Sequence, residues 1–500
     1  MSEVLVQVTG GTLRGAQSEG IVSLKGVPYA APPVGPLRWA APQAIEPWDG
    51  VRDAFEFGPS CPQPAERPEG WDAETAEGED CLVLNVWTPG LDDGRRPVMV
   101  WFHGGGYTTG SGSWPLYNGA ALARRGEVVV VTVNHRLGVL GYLHLAELGG
   151  PELATSGNAG MLDLVASLGW VRDNIESLGG DAANVTIFGE SGGGAKVSTL
   201  HVMPSARALF HRAAVQSGPG LYVQTPEQAN ETAKRLLEEL GIEAGPACID
   251  DLRALPVERL LKAQRGLAAR PAADGRPAGP MGGFGPVLDG AAVAAHPAEA
   301  FADGSADDVP MLIGRNNDEG TLLMAGDPVL THPDGLAEAD LEARLSTFGD
   351  RAEALLAGYR GAYPDATPLD LLIAIRSDAF MGFGTVRLAE KKLKGTTTPV
   401  YMYRFNWAAG PLRSGHGFEI AFVFDNVHEP VMHRSASRAE LADRMSEAWI
   451  AFARDGDPNH AGLPEWPAYS LVERSTMLFD RETCVVETDP FEVVHSLWRS

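Results

Sequence analysis

The sequence predicts an α/β protein: a large, mostly parallel central sheet flanked by helices, with long loop and helical insertions. Three observations point there. Short, continuously apolar runs, such as Pro97 to Phe102 and Val128 to Val133, have the length and composition of strands buried on both faces. Segments with helical spacing alternate with those runs, as they do when strands are joined by crossover helices. Several runs stop abruptly at glycine-rich or polar stretches, where a strand gives way to a loop.

Taken in order, the first ninety residues read as short strands and turns. Val4 to Val8 and Gly11 to Arg14 form a small hairpin, and Lys25 to Pro33 is too proline-rich for a helix. A polar, acidic loop lies between Cys61 and Cys81, and Leu82 to Trp87 alternates like a strand. The buried strand Pro97 to Phe102 ends at His103-Gly104-Gly105-Gly106-Tyr107, and Val128 to Val133 runs into Asn134-His135-Arg136. A helix is expected over Asn158 to Ile175, from the spacing of Leu162, Val165 and Leu168. Next come a strand into Ser191 and another over Ala213 to Gln216, ending at Ser217. Residues 226 to 270 are helical and amphipathic, and 271 to 286 form a Gly/Pro/Ala-rich rim loop. Val309 to Gly314 is a strand, helices fill 336 to 393, and Pro399 to Phe405 is a strand followed by a long loop to His416. A helix near 438–454 and a strand at Thr476 to Phe479 close the pattern. No repeat or linker divides the chain, so residues 1–500 are read as one catalytic domain.

Composition excludes several classes of function. The 500 residues carry 65 acidic against 40 basic side chains, a net charge of −25 that repels phosphate backbones, so no nucleic-acid partner is expected. Only seven residues are Lys, and no basic run marks a membrane surface. No signal-peptide pattern or long apolar span is visible, and four Cys are too few for a disulfide framework. A soluble, cytoplasmic protein is expected, monomer or homodimer.

The chemistry centres on Gly189-Glu190-Ser191-Gly192-Gly193, between an apolar strand and a Gly/Ala-rich helix start. This is the Gly-x-Ser-x-Gly nucleophile elbow, in which a strained turn lifts the serine hydroxyl above the strand ends. Chance matches occur in a chain with 59 Gly, so partners must decide. Glu319 follows a later strand and His416 one later still, giving the Ser…acid…His order of α/β-hydrolases. Serine needs a base to become a nucleophile, histidine titrates near neutrality, and a carboxylate holds the imidazole tautomer. Asp318 rivals Glu319 as the acid. Chain order leaves His332, His416, His428, His433, His460 and His495, and His416 alone is both Gly-flanked and joined to a strand by a loop. The His103 glycine run would supply oxyanion donors at Gly105 and Gly106, joined by Gly192, with His103 an orienting group. A phosphate-binding loop is the competing reading, but no Gly-Lys-Ser/Thr follows. No metal motif and no cofactor are indicated.

With these residues in view, the chain resembles the type-B carboxylesterases, the family of bacterial p-nitrobenzyl-type esterases, animal carboxylesterases and cholinesterases. The resemblance runs through Lys25 to Ala30, Glu79 to Val86, the His103 glycine run, Gly179-Gly180-Asp181, the elbow, Asn317 to Gly320, His416 to Ile420, Trp449 to Asn459 and Trp466 to Tyr469. It implies a cofactor-free serine hydrolase acting on small-molecule carboxylic esters through an acyl-enzyme, with carbamates or anilides as variants. It also implies a triad of Ser191, Glu319 and His416, and Gly105, Gly106 and Gly192 as oxyanion donors. Some proteins of this fold have lost the serine and act as adhesion or binding modules, an alternative that the complete residue set here disfavours. Glu190 and Ser217 are expected beside the acid–base pair, and Tyr107 and Trp71 at the substrate pocket. The pocket walls are expected from loops 62–80 and 271–286 and from the helical 320–390 region. Trp71 has the spacing to Cys81 of a choline-stacking Trp in cholinesterases, although the loop here is shortened. Cys61 and Cys81 match a pair that is disulfide-bonded in secreted relatives, whereas reduced thiols suit a cytoplasmic protein.

Three positions depart from the family pattern: Gly192 in place of Ala, Leu164 in place of Gln, and His135 in place of Tyr. Gly192 is expected to keep its backbone donor with a looser turn. Substitution by Ala should then be tolerated, and even stabilising, if the local φ is negative.

Overall fold

The computed structural model describes residues 2–64, 75–245, 247–270, 283–332, 335–429, 437–481 and 483–499. Trp71 and most of the 271–286 loop lie outside the described residues, as does His433. The strands are β1 (Ser2–Val8), β2 (Gly11–Ser18), β3 (Ile21–Pro28), β4 (Val51–Asp53), β5 (Val83–Thr88), β6 (Arg96–Phe102) and β7 (Val129–Val133), then β8 (Gly180–Glu190), β9 (Arg212–Gln216), β10 (Met311–Asn316), β11 (Val400–Phe405), β12 (Ser475–Phe479) and β13 (Cys484–Thr488). They form one sheet in the order β1-β2-β3-β5-β7-β6-β8-β9-β10-β11-β12-β13, with β4 beside β2.

The pairings from β7 through β6, β8, β9, β10 and β11 to β12 are all parallel, with antiparallel strands added at both edges. The apolar runs read from the sequence make up the middle of this sheet, and both of their faces are covered. In β6, Val98, Val100 and Phe102 enter one core and Met99 and Trp101 the other. The strand period of two distributes successive side chains to opposite layers, which is why a doubly covered strand shows no polar alternation. The helix expected over Asn158 to Ile175 spans Ala159–Asn174, with Leu164, Leu168 and Val171 buried while Leu162 and Val165 are half-buried. Beyond the expected last strand, the chain adds β13 and a helix at Glu492–Trp498. No helix among the described residues is long and apolar enough to cross a membrane.

One consequence of parallel pairing positions the site. Every parallel strand ends at the same edge of the sheet, and loops there converge, as in open α/β sheets generally. Residues 103–106 follow β6, Ser191 follows β8, Ser217 follows β9, and Glu319 follows β10. His416 arrives by the loop after β11.

Candidate active site

Ser191 sits at φ 56°, ψ −123°, between the end of β8 and a helix over Gly192–Leu200. Such a backbone is strained for a residue with a Cβ, and it is the conformation that the elbow pattern requires. The turn is fixed from below: Ser191 N–H donates to the Gln216 carbonyl at 2.9 Å, and the Ala195 N–H donates to the Ser191 carbonyl at 3.1 Å.

Glu319 and His416 meet as the chain order implies. Nδ1 of His416 lies 2.5 Å from Oε2 of Glu319, and both side chains are buried. Oε1 of Glu319 accepts the Asn316 N–H at 2.7 Å, which locks the carboxylate against the end of β10. Asp318, the rival acid, binds Ser414 and supports the imidazole indirectly. Its Oδ2 accepts from the Ser414 hydroxyl at 2.6 Å and so braces the loop that carries His416.

Glu190 and His416 are also in contact. The Nε2 atom of His416 is 3.1 Å from Oε1 of Glu190. Burial alone would lower the imidazole pKa, but Glu190 and Glu319 outweigh it and push His416 up to about 9. Burial raises Glu190 to about 8, with His416 opposing the shift.

A third carboxylate, Glu419, belongs to the His416 to Ile420 motif, yet the sequence assigns it no role. It is fully buried, accepting from Gln216 Nε2 at 3.1 Å and from Asn316 Nδ2 at 2.6 Å, and burial followed by the Glu319 charge raises it to about 7. Its position three residues after His416 was the available signal. Phe380, whose ring centroid is 5.1 Å from that of His416, was missed altogether. It lies in a π-helical turn, Asp378–Gly382, which no sequence periodicity announces.

The glycine run abuts the elbow. Gly105 and Gly106 both have positive φ, 83° and 62°, the left-handed conformation that glycine adopts without strain. A Cβ built on Gly104 would stand 2.8 Å from Glu190 Oε2 and 3.4 Å from Ser191 Cβ, so the run passes directly beside the serine. Gly192 requires a correction. Its φ is not in the left-handed region, yet a Cβ there would meet the Gly106 carbonyl oxygen at 2.1 Å and Gly106 Cα at 2.5 Å. Space, not φ, demands glycine, so Ala is not expected to be accommodated at 192 without displacing the glycine run.

The remaining sequence-derived candidates divide. His103 is fully buried, its Nδ1 2.9 Å from the Gly104 carbonyl oxygen, and its ring stacks on His135 at 4.8 Å. Tyr107 is half-buried and packs edge-on against Tyr142. Ser217 is buried at φ 44°, but its hydroxyl has no hydrogen-bond partner among the described residues and is not joined to the acid–base pair. Cys61 and Cys81 are buried free thiols rather than a disulfide. Their contact, together with burial, holds the Cys81 thiol well above its usual range.

A parallel sheet carrying a serine, a glutamate and a histidine in that chain order, all at one edge, defines an α/β-hydrolase. Comparison with known proteins narrows the class. The model of the carboxylesterase family matches residues 2–498, and the chain belongs to that family. It is 37% identical to the para-nitrobenzyl esterase of Bacillus subtilis over 98% of this chain and 97% of that one. It is 36% identical to the phenmedipham hydrolase of Pseudarthrobacter oxydans over 97% of each. Among solved structures, the carboxylesterase EST55 of Geobacillus stearothermophilus superimposes with a TM-score of 0.85 at 39% identity, covering 99% of both chains. This protein is a carboxylic-ester hydrolase.

Proposed function

We propose that the chain hydrolyses small carboxylic esters through an acyl-enzyme formed on Ser191. The observation that carries this reading is the His416–Glu319 contact at 2.5 Å, made at the same sheet edge where Ser191 stands in its strained turn. His416 takes the serine proton as Ser191 Oγ attacks the ester carbonyl. The resulting oxyanion is held by the N–H groups of Gly105, Gly106 and Gly192, in a water-poor setting where such donors act strongly. The imidazolium, flanked by Glu319 and Glu190, then protonates the leaving alkoxide. In the second half, the same imidazole draws a proton from water, which attacks the acyl carbonyl and releases the acid. Carbamates and anilides require the same groups and differ in leaving-group protonation and in the shape of the pocket. The names of the bacterial relatives, a para-nitrobenzyl esterase and a phenmedipham hydrolase, support a substrate panel spanning these types. The continuous sheet from β1 to β13 supports a single catalytic unit over residues 1–500.

A fluorophosphonate probe followed by peptide mapping tests the mechanism. The adduct is expected on Ser191, with Ser191→Ala inactive toward p-nitrophenyl acetate; labelling elsewhere, or an active Ser191→Ala enzyme, overturns it.

A further inference from the structure

The helix that begins at the elbow contains a charged residue with no solvent exposure, Lys196. Side chains of an α-helix lean toward its N-terminus. The lysine reaches back along the elbow, and Nζ donates to the main-chain carbonyl of His103 at 2.9 Å. That carbonyl belongs to the first residue after β6, the root of the glycine run.

The surroundings do not explain a cation by ordinary packing. A buried ammonium carries a large desolvation penalty, and a neutral donor would satisfy the same carbonyl. Two features offset the penalty. The Tyr107 ring lies 5.7 Å from Nζ, and the Glu190 carboxylate opposes the loss of the lysine's charge. Burial is the larger influence and lowers Lys196 to about 7. The neighbouring imidazoles do not share the charge. Burial, and then Lys196 itself, holds His103 and His135 well below their ordinary range. Their Nδ1 atoms are each engaged with the carbonyl oxygen of the following residue, at 2.9 Å.

Glu190 meets the same run at the next residue, because a Cβ on Gly104 would stand 2.8 Å from its Oε2. The root of the glycine run is therefore held at two adjacent residues, with Lys196 on the carbonyl of His103 and Glu190 against Gly104. Both contacts come from the elbow: Glu190 is the last residue of β8, and Lys196 is in the helix that follows.

We propose that Lys196 is a positioning residue for the oxyanion hole, tying the glycine run to the elbow helix through the His103 carbonyl so that Gly105 and Gly106 stay in register with Gly192. This rests on the reading of those three glycines as the oxyanion donors. Two strand ends supply the donors, β6 and β8, and the lysine spans the gap between them.

The experiment uses the full-length enzyme with Lys196→Met, which keeps an unbranched apolar stem, and Lys196→Gln, which keeps a neutral donor. Each is assayed for kcat and KM on p-nitrophenyl acetate. Each is also assayed for inhibition by an alkyl trifluoromethyl ketone, which forms an oxyanion adduct, and by the matching secondary alcohol, which does not. In Lys196→Met, kcat is expected to fall about 10- to 100-fold, less than the ~100- to 1000-fold typical of deleting an oxyanion donor outright. Ketone affinity should fall in parallel, while KM and alcohol inhibition stay within about twofold, as expected for an interaction made only in the transition state. Lys196→Gln should recover part of the loss, and it carries the comparison if the Met variant does not fold. Unchanged kcat and ketone affinity in a folded Lys196→Met variant overturns the proposal, and so does a folded Lys196→Gln variant that loses as much as Lys196→Met. So does a loss shared equally by KM, alcohol binding and thermal stability, which marks a structural role only. Failure of the underlying reading is seen separately, as a wild-type enzyme that binds the ketone no more tightly than the matching alcohol.

Discussion

Nε2 of His416 lies 3.1 Å from Glu190 Oε1 while Nδ1 of the same ring lies 2.5 Å from Glu319 Oε2, so two buried carboxylates share one imidazole. Each stabilises the imidazolium over the neutral ring, and together they outweigh burial to place His416 at about 9. A base must be neutral to accept the serine proton, so kcat/KM is expected to rise with pH toward that value. Replacing Glu190 by Gln removes one stabilising charge, so the imidazolium loses its proton more readily. The acid limb of the kcat/KM profile should then move to lower pH by at least about one unit, the shift an adjacent opposite charge ordinarily produces. The plateau should drop, because the imidazolium formed during attack is also less stabilised. A limb that stays in place in a pH–rate series from 5 to 10 would mean that Glu190 does not act on His416.

Gly192→Ala is expected to impair catalysis rather than improve stability. The new methyl group meets Gly106 backbone atoms, which cannot swing aside as a flexible side chain would. Relief requires moving the glycine run away from the elbow, which pulls apart two of the proposed oxyanion donors. A loss of about 100-fold in kcat is expected, near the effect of losing one such donor, with KM little changed. Steady-state kinetics on p-nitrophenyl acetate measures both, and wild-type kcat in a folded Ala variant would refute the steric argument.

The contrast at Gly192 shows where the sequence is informative. Ser191, Glu319 and His416 could be ordered from the sequence because each follows a strand whose apolar run is visible, and parallel pairing brings those strand ends together. Gly105 and Gly106 were legible for the same reason, as a glycine run at the end of β6. What the sequence withholds is distance between backbones of different segments. Whether position 192 tolerates a Cβ depends on how closely residues 104–106 approach, and neither segment encodes that separation alone. Lys196 was hidden similarly, since a lysine in a helix reads as solvent-exposed until its buried end is seen to reach the His103 carbonyl. Phe380 depends on a π-helical turn that shifts the register of one side chain and leaves no periodic trace.

Phe380 covers one side of the His416 ring, with centroids 5.1 Å apart and the planes tilted by 50°. It is itself half-buried, on a turn within the helical 320–390 region expected to wall the pocket. Phe380→Ala should open space beside the base without removing any group that moves a proton. Relative kcat/KM is expected to shift by about 10-fold or more toward esters with bulkier acyl groups, in line with ~1–3 kcal/mol for apolar pocket contacts. Assays of p-nitrophenyl acetate, butyrate and octanoate read this directly. Equal effects on all three esters would assign Phe380 to holding His416 rather than to shaping the pocket.

Arg136 and Asp163 hold the scaffold behind the site. Arg136 follows β7, and Asp163 lies in the helix Ala159–Asn174, with the two side chains 3% and 0% exposed. The pair is bidentate, Nη2 to Oδ1 at 2.7 Å and Nε to Oδ2 at 2.9 Å, and the Arg136 backbone N–H adds a third bond to Oδ2 at 3.0 Å. Arg136 Nη1 also donates to the Ala40 carbonyl at 2.8 Å, which draws in the proline-rich N-terminal segment. Arg136→Met would leave a buried carboxylate with a single backbone donor, and removing one partner of a buried pair costs about 3–5 kcal/mol. Asp163→Leu would strand the guanidinium in the same way. The double variant should be more stable than either single one, because neither charge is then left unpaired. Urea unfolding followed by circular dichroism measures the coupling. If Arg136→Met unfolds within about 1 kcal/mol of the wild type, a range usual for exposed pairs, then water or local rearrangement solvates Asp163 and the pair is not what joins β7 to its helix.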